Sequence, residues 1–242
     1  MYHPFSIAET TKTAWNIFKK NFVTIIVYSI ISFLLLSVLA FMTGFIFSSE
    51  DFTEKMISTF ILIFVQAYTT LGLYKLIFTV IDSEFYEFEF KQVLPSFKMI
   101  ISYLTVIFLI AFIITNIHFL MVRLDNYVYL QEVIQDISAL LGLFLALRVM
   151  FFITYIVDDH SSAFESLKQS FDLTRGYFFK VLTILIIILL FIALPAFLSQ
   201  IYPIISITII FTYPFVNIIL AVTYRKLIYS HQDVDDDIAE TN

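Results

Sequence analysis

Read for its apolar and polar positions, the chain shows one pattern three times: an amphipathic stretch running directly into a long apolar one. The amphipathic stretches begin near Ala14, Ser96 and Ser170. Superposed, they align Trp15 with Phe97 and Phe171, and then Phe22 with Leu104 and Phe178. In the first copy Ile7, Thr11, Trp15, Phe18 and Phe22 recur at helical spacing and leave Lys12, Lys19 and Lys20 for the other face. Phe164, Leu167, Phe171, Thr174 and Phe178 do the same in the third, with Lys168 and Arg175 opposite or flanking. Ser6 with Glu9, and Ser162 with Glu165, have the spacing of a capping box. The second copy is interrupted by Pro95 and preceded by Glu84, Glu87 and Glu89. Two apolar spans follow each stretch. The pattern therefore predicts an all-α membrane protein of six transmembrane helices, arranged as three parallel repeats of an interfacial amphipathic helix plus a transmembrane hairpin. Trp15, Phe97 and Phe171 are expected at equivalent sites, packed down onto the bundle.

The spans are placed at about 22–47, 57–81, 99–122, 137–157, 178–200 and 203–225, where a bilayer crossing takes roughly 20 helical residues. Val181 to Tyr224 has no charge over twice that length and must fold back on itself. Pro203, preceded by the polar Ser199 and Gln200, is the predicted turn. Residues 1–230 thus form the membrane domain. Residues 231–242, with Asp233, Asp235, Asp236, Asp237 and Glu240, read as an acidic disordered tail.

Composition agrees and excludes several functions. The chain is 60% hydrophobic and 14% charged, with a mean hydropathy of +0.91, outside the range of soluble domains. It contains no cysteine, which removes disulfides, thiolate metal sites and cysteine nucleophiles together. A basic stripe for nucleic acid and a phosphate loop for nucleotide are both absent, so neither is an expected partner. No short apolar core with a cleavage site opens the chain, so no removable signal peptide is expected. Ten lysines and arginines, from Lys12 to Lys226, fall on the side of the termini, against Lys55 and Arg123 on the other. The excess predicts that both termini are cytoplasmic.

Intramembrane enzyme chemistry has little to work with. There is no HExxH, His118 is the only histidine in a predicted span, and the predicted spans hold no carboxylate. No catalytic residue, metal or cofactor is expected. One residue stands out: Arg148, near the middle of the fourth predicted span, where an arginine costs about 2.5–3.5 kcal/mol on insertion scales. It is expected to face the bundle interior. Gln66, Tyr213 and Asn217 are its uncharged candidate partners, and an anionic headgroup or substrate is the alternative to a packing role. Lys75 is close enough to the second span's end to snorkel, with Asp82 as a possible partner. With only four glycines, large side chains are expected to fill the bundle.

The stretch from Arg148 to Val181 resembles the membrane domain attached to some bacterial glycerophosphodiester phosphodiesterases, and small YciC-like inner-membrane proteins. In those an arginine-bearing span ends at an acidic residue, and a short helix leads into the next span. The matching positions here are Arg148, Asp158 or Asp159, Leu167, Ser170, Leu173, Thr174 and Gly176. Departures are Ser166 for the usual alanine, Phe171 for a common tryptophan, and aspartate for glutamate. The TYRKL around Arg225 is similar to the end of the family's last helix. The resemblance implies a stand-alone domain of the bacterial cytoplasmic membrane and no hydrolysis. The expected function is non-enzymatic organisation of membrane lipids or of another membrane protein. The alternative is a small transporter or lipid-handling protein whose anionic substrate passes Arg148.

Overall fold

The computed structural model describes residues 6–47, 51–82, 90–124 and 127–240, so the acidic cluster of Glu84, Glu87 and Glu89 lies outside the described residues. Among the described residues there is no strand. The order is α1 (Ile7–Lys20), α2 (Phe22–Ile46), α3 (Phe52–Asp82), α4 (Phe90–Val93), α5 (Phe97–Arg123), α6 (Val128–Val149), α7 (Phe152–Asp158), α8 (Ala163–Leu173), α9 (Phe178–Ile201) and α10 (Ile209–Glu240). Six stretches are long and apolar enough to cross a membrane: α2, α3, α4 with α5, α6 with α7, α9, and the segment Pro203–Ser230. The turn into α10 is a short tight helix that starts at Pro203, where a proline has no amide to lose. Both α9 and α10 continue through their internal prolines, Pro195 and Pro214. Helix α10 runs on to Glu240, into the segment read as an acidic tail.

Three helices organise the molecule. Along α3 and α10, the Thr70 and Tyr213 hydroxyls lie 3.2 Å apart, the Phe78 and Tyr224 rings meet edge to face, and Asp82 pairs with Arg225. These contacts keep one register for about 18 Å of helix, so α3 and α10 run parallel. Helix α7 joins them in the same direction, with Tyr155 edge-on to Tyr224 and Asp158 on Arg225. The fully buried core lies near this charged end and includes Leu71, Leu73, Leu76, Ile77, Phe151, Ile156, Ile218 and Tyr224. Towards the other end Phe41, Phe45, Tyr129, Leu140 and Phe197 are exposed, as side chains that face lipid would be.

The two amphipathic helices present a different stripe to the bundle than their hydrophobicity predicts. In α1 the buried residues are Thr10, Ala14 and Phe18, while Trp15 is 53% exposed. In α8 they are Ala163, Ser166, Ser170 and Leu173, while Phe164 and Phe171 are exposed. Each packing stripe is shifted towards the residue before the predicted one and is mostly small, with Phe18 and Thr174 of the predicted stripes still buried. Small residues let helices approach closely where no water drives them together, and the bulky apolar ones are left for the surroundings. Helix α1 also stands lengthwise against α10: Glu9 pairs with Lys226, the Trp15 and Phe18 rings touch Phe215, and Phe22 stacks on Phe211. Glu9 is thereby diverted from the predicted capping box, and Ser6 makes no side-chain cap. The second predicted box is formed, with Ser162 N–H donating to the Glu165 carboxylate at 3.3 Å.

The middle amphipathic stretch is not a separate helix. Pro95 breaks the chain, Ser96 caps α5 through the Met99 amide, and Phe97 is already helical and exposed. Trp15 and Phe171 each meet a ring on a neighbouring helix, Phe215 and Phe144, so the three aligned rings sit in different surroundings.

Candidate functional site

The fourth predicted span is broken two residues beyond Arg148. Helix α6 ends at Val149 and α7 starts at Phe152, and the break is held by one side chain from α8. The Ser170 hydroxyl accepts the Phe151 amide at 3.1 Å and donates to the Arg148 carbonyl at 2.8 Å. A serine that takes over both backbone groups makes such a break affordable, since a buried unpaired group costs about 1–3 kcal/mol. The Arg148 guanidinium then turns towards α8 and α9. Its Nη1 donates to the Thr174 hydroxyl at 3.0 Å, and its centre lies 4.9 Å from the Phe171 ring, 5.2 Å from Phe144 and 5.9 Å from Phe178. Each ring face attracts a cation by roughly 0.5–2 kcal/mol. Arg148 is half-buried, its Nε is buried and makes no hydrogen bond, and no carboxylate pairs with it among the described residues. Gly176 closes the turn from α8 into α9 at φ +86°, a left-handed conformation that glycine adopts without strain.

Gln66, Tyr213 and Asn217 are therefore not the partners of Arg148. They lie on α3 and α10, on the other side of the bundle's polar interior. Asn217 donates to the Tyr213 carbonyl at 2.8 Å, and Tyr213 meets Thr70. Gln66, Tyr213 and Tyr28 line a cavity of about 230 Å³ between α2, α3 and α10. Tyr213 and Asn217 line a second of about 350 Å³ between α9 and α10. The reason is chain geometry: equal depth in the bilayer does not place residues on facing sides of a bundle.

The remaining motif residues meet at the charged end. One Arg225 nitrogen, Nη2, donates to Asp82 at 2.7 Å and to Asp158 at 2.9 Å, and its centre lies 5.0 Å from the Phe78 ring. The Tyr224 hydroxyl donates to the other Asp158 oxygen at 2.9 Å. A single arginine thus ties α3, α7 and α10. Asp159 makes no ion pair among the described residues, and burial, with Asp158 beside it, raises its carboxyl above the usual carboxylate range, against the opposing pull of Arg225. Asp82 is committed to Arg225, so Lys75 donates instead to the Leu94 carbonyl at 2.8 Å and holds the α4–α5 linker. The TYRKL signature flagged Tyr224 and Arg225; their meeting with Asp82 had no signal in the sequence.

A chain with no strand among its described residues and six stretches long and apolar enough to cross a bilayer has the build of a multi-pass membrane protein. No protein-family model, no curated protein and no solved structure matches it.

Proposed function

We propose that the protein is a non-enzymatic integral protein of the bacterial cytoplasmic membrane, with both termini cytoplasmic, that holds anionic lipid headgroups at its cytoplasmic face. Its plan is three parallel helix hairpins, the first and third preceded by a separate foot helix, α1 and α8. The parallel run of α3, α7 and α10, the second, fourth and sixth spans, is what six alternating crossings require and agrees with that plan. The observation that carries the function is the unpaired charge of Arg148. A half-buried guanidinium with one neutral hydroxyl partner and three phenyl rings has no counter-charge in the protein, and a lipid phosphate supplies one. Arg175 and Lys180 follow Thr174 closely in the chain and add to the local positive potential, which attracts anionic lipid by about 1 kcal/mol per residue near the surface. The alternative, a substrate path past Arg148, has less support, because Arg148 lines neither of the cavities on α10.

Thermal melts of wild type and Arg148→Leu, with and without phosphatidylglycerol, test the reading. The lipid is expected to raise the wild-type midpoint by about 3 °C or more, a shift worth roughly 1 kcal/mol. Arg148→Leu should fold and lose most of that rise. A variant that fails to fold with or without lipid makes Arg148 a packing residue and ends the proposal.

Orientation is tested by single cysteines in this cysteine-free chain. Cysteines at Ser49 and Asn126, which lie outside the described residues, are expected to label from outside the cell. Ser166 is fully buried and would resist labelling on either side, so the exposed Lys168 is the informative cytoplasmic position. Labelling of Lys168→Cys from outside would invert the topology.

A further inference from the structure

Gln66 is an unusual residue in its place. It stands at the centre of α3, about 16 Å of helix from Lys55 and about 14 Å from Lys75, so it sits near mid-depth in any bilayer that α3 crosses. Its side chain is exposed, and its carboxamide makes no hydrogen bond among the described residues. Its backbone carbonyl is already used by the Thr69 hydroxyl. Gln66 lines the cavity between α2, α3 and α10, and its two donor hydrogens and acceptor oxygen meet no partner among the described residues. Tyr213, across the same cavity, is already partnered by the Thr70 hydroxyl and the Asn217 amide, which leaves Gln66 as the unpaired polar group of this lining. Through Tyr213 and Ile209 this cavity adjoins the second one, where Ser199 and Asn217 add further polar groups.

We infer that the space between α2, α3 and α10 binds an uncharged hydroxy-ester lipid of the diacylglycerol class, with its polar end held by Gln66. The chemistry of the lining selects that class. A carboxamide that is unpaired in hydrocarbon needs an acceptor and a donor, and an ester carbonyl with a free hydroxyl provides both in one molecule. No charged residue lines either cavity. A phosphate or carboxylate carried to this depth would meet no cation, and an isolated buried charge is strongly unfavourable. The other lining residues, such as Phe33, Leu36 and Leu73, are apolar and suit acyl chains. The site is separate from the one at Arg148, which would take the opposite kind of lipid.

The test is photolabelling of the full chain in nanodiscs with a diacylglycerol that carries a photoreactive group near its glycerol. Labelled peptides are expected from α2, α3 and α10. Excess unlabelled diacylglycerol should suppress the signal and phosphatidylglycerol should not. Gln66→Met keeps the side chain's length without its hydrogen bonds, and should lower labelling at least ten-fold while leaving the melting midpoint without diacylglycerol unchanged. Arg148→Leu should label as wild type does, which separates this site from the phosphate site. Labelling spread evenly around the bundle, equal competition by phosphatidylglycerol, or undiminished labelling of Gln66→Met would each overturn the inference. Complete absence of labelling would do so too, and would leave water as the partner of Gln66.

Discussion

Replacement of Arg225 by methionine should destabilise the protein by roughly 2–4 kcal/mol, among the largest losses from any single substitution here. Removing one partner of a buried ion pair costs about 3–5 kcal/mol, because the charge left behind is neither solvated nor paired. The site at Arg225 is not fully buried: side-chain exposure is 23% for Arg225, 18% for Asp158 and 55% for Asp82. Solvent therefore screens the Asp82 branch, which contributes little, and most of the loss comes from Asp158. Contact with the Phe78 face adds about 0.5–1 kcal/mol. Chemical or thermal unfolding in detergent measures the change. Adding Asp158→Asn to Arg225→Met should recover at least 1 kcal/mol, since the amide needs no counter-charge, whereas adding Asp82→Asn should recover almost none. A single-mutant loss below about 0.5 kcal/mol would mean that the knot does not hold the three helices together.

Gly72→Leu should be about as damaging, by a steric route. The Tyr28 hydroxyl of α2 lies against Gly72, and donates past it to the Thr69 carbonyl at 2.9 Å. Even a methyl group at residue 72 would collide with that hydroxyl, and would stand 3.3 Å from the Val93 carbonyl of α4. The tyrosine end can swing away, but the backbone of α4 is anchored by Lys75 on Leu94. Overpacking of a tight site typically costs about 1–3 kcal/mol, so the leucine variant is expected at or above about 3 kcal/mol. Gly72→Ala is the graded control. It gains roughly 1 kcal/mol of helix propensity and loses the Tyr28 bond and some packing, for a net loss of about 0–2 kcal/mol. If Gly72→Leu melts like wild type, the close approach of α2, α3 and α4 is not formed. Gly44 and Gly142 have open space around them, and the same substitution there should be neutral or stabilising.

Gly72 also marks where reading the sequence stops. Few glycines argued for a bundle filled by large side chains, and that holds for most of the core. A single close approach depends on which tyrosine of another helix arrives at the glycine, and nothing local to residue 72 encodes it. Arg148 is similar. Its motif partners Ser170 and Thr174 are visible as a pattern, yet the sequence places the arginine mid-span and, with no carboxylate in the predicted spans, offers Gln66, Tyr213 and Asn217 as its uncharged candidates. The helix break at Met150–Phe151 and the Ser170 clasp turn it towards α8 instead. Serine hydroxyls bond backbone groups in many ways, so a serine 22 residues away in the chain gives no warning of a break.

What the sequence determined by itself is the set of six apolar spans. Apolar runs of bilayer length, the charges that end them, Pro203 at the last turn and Ser162 with Glu165 at a helix start are all local or compositional, and local features need no knowledge of neighbours. The tertiary structure alone decided which face of each helix packs. In water the apolar face of an amphipathic helix turns inward, so its stripe predicts its contacts. Here lipid accepts the apolar face as readily as protein does, and contact goes to the side that allows the closest approach. Helices α1 and α8 accordingly bury Thr10, Ala14, Ser166 and Ser170 along with Phe18 and Leu173, while Phe164 is exposed and Trp15 and Phe171 are only partly covered by a neighbouring ring. The tertiary structure also decided the partners of the polar groups: Arg148 meets Thr174 at the end of α8, Arg225 joins α3, α7 and α10, and Gln66 lines a cavity.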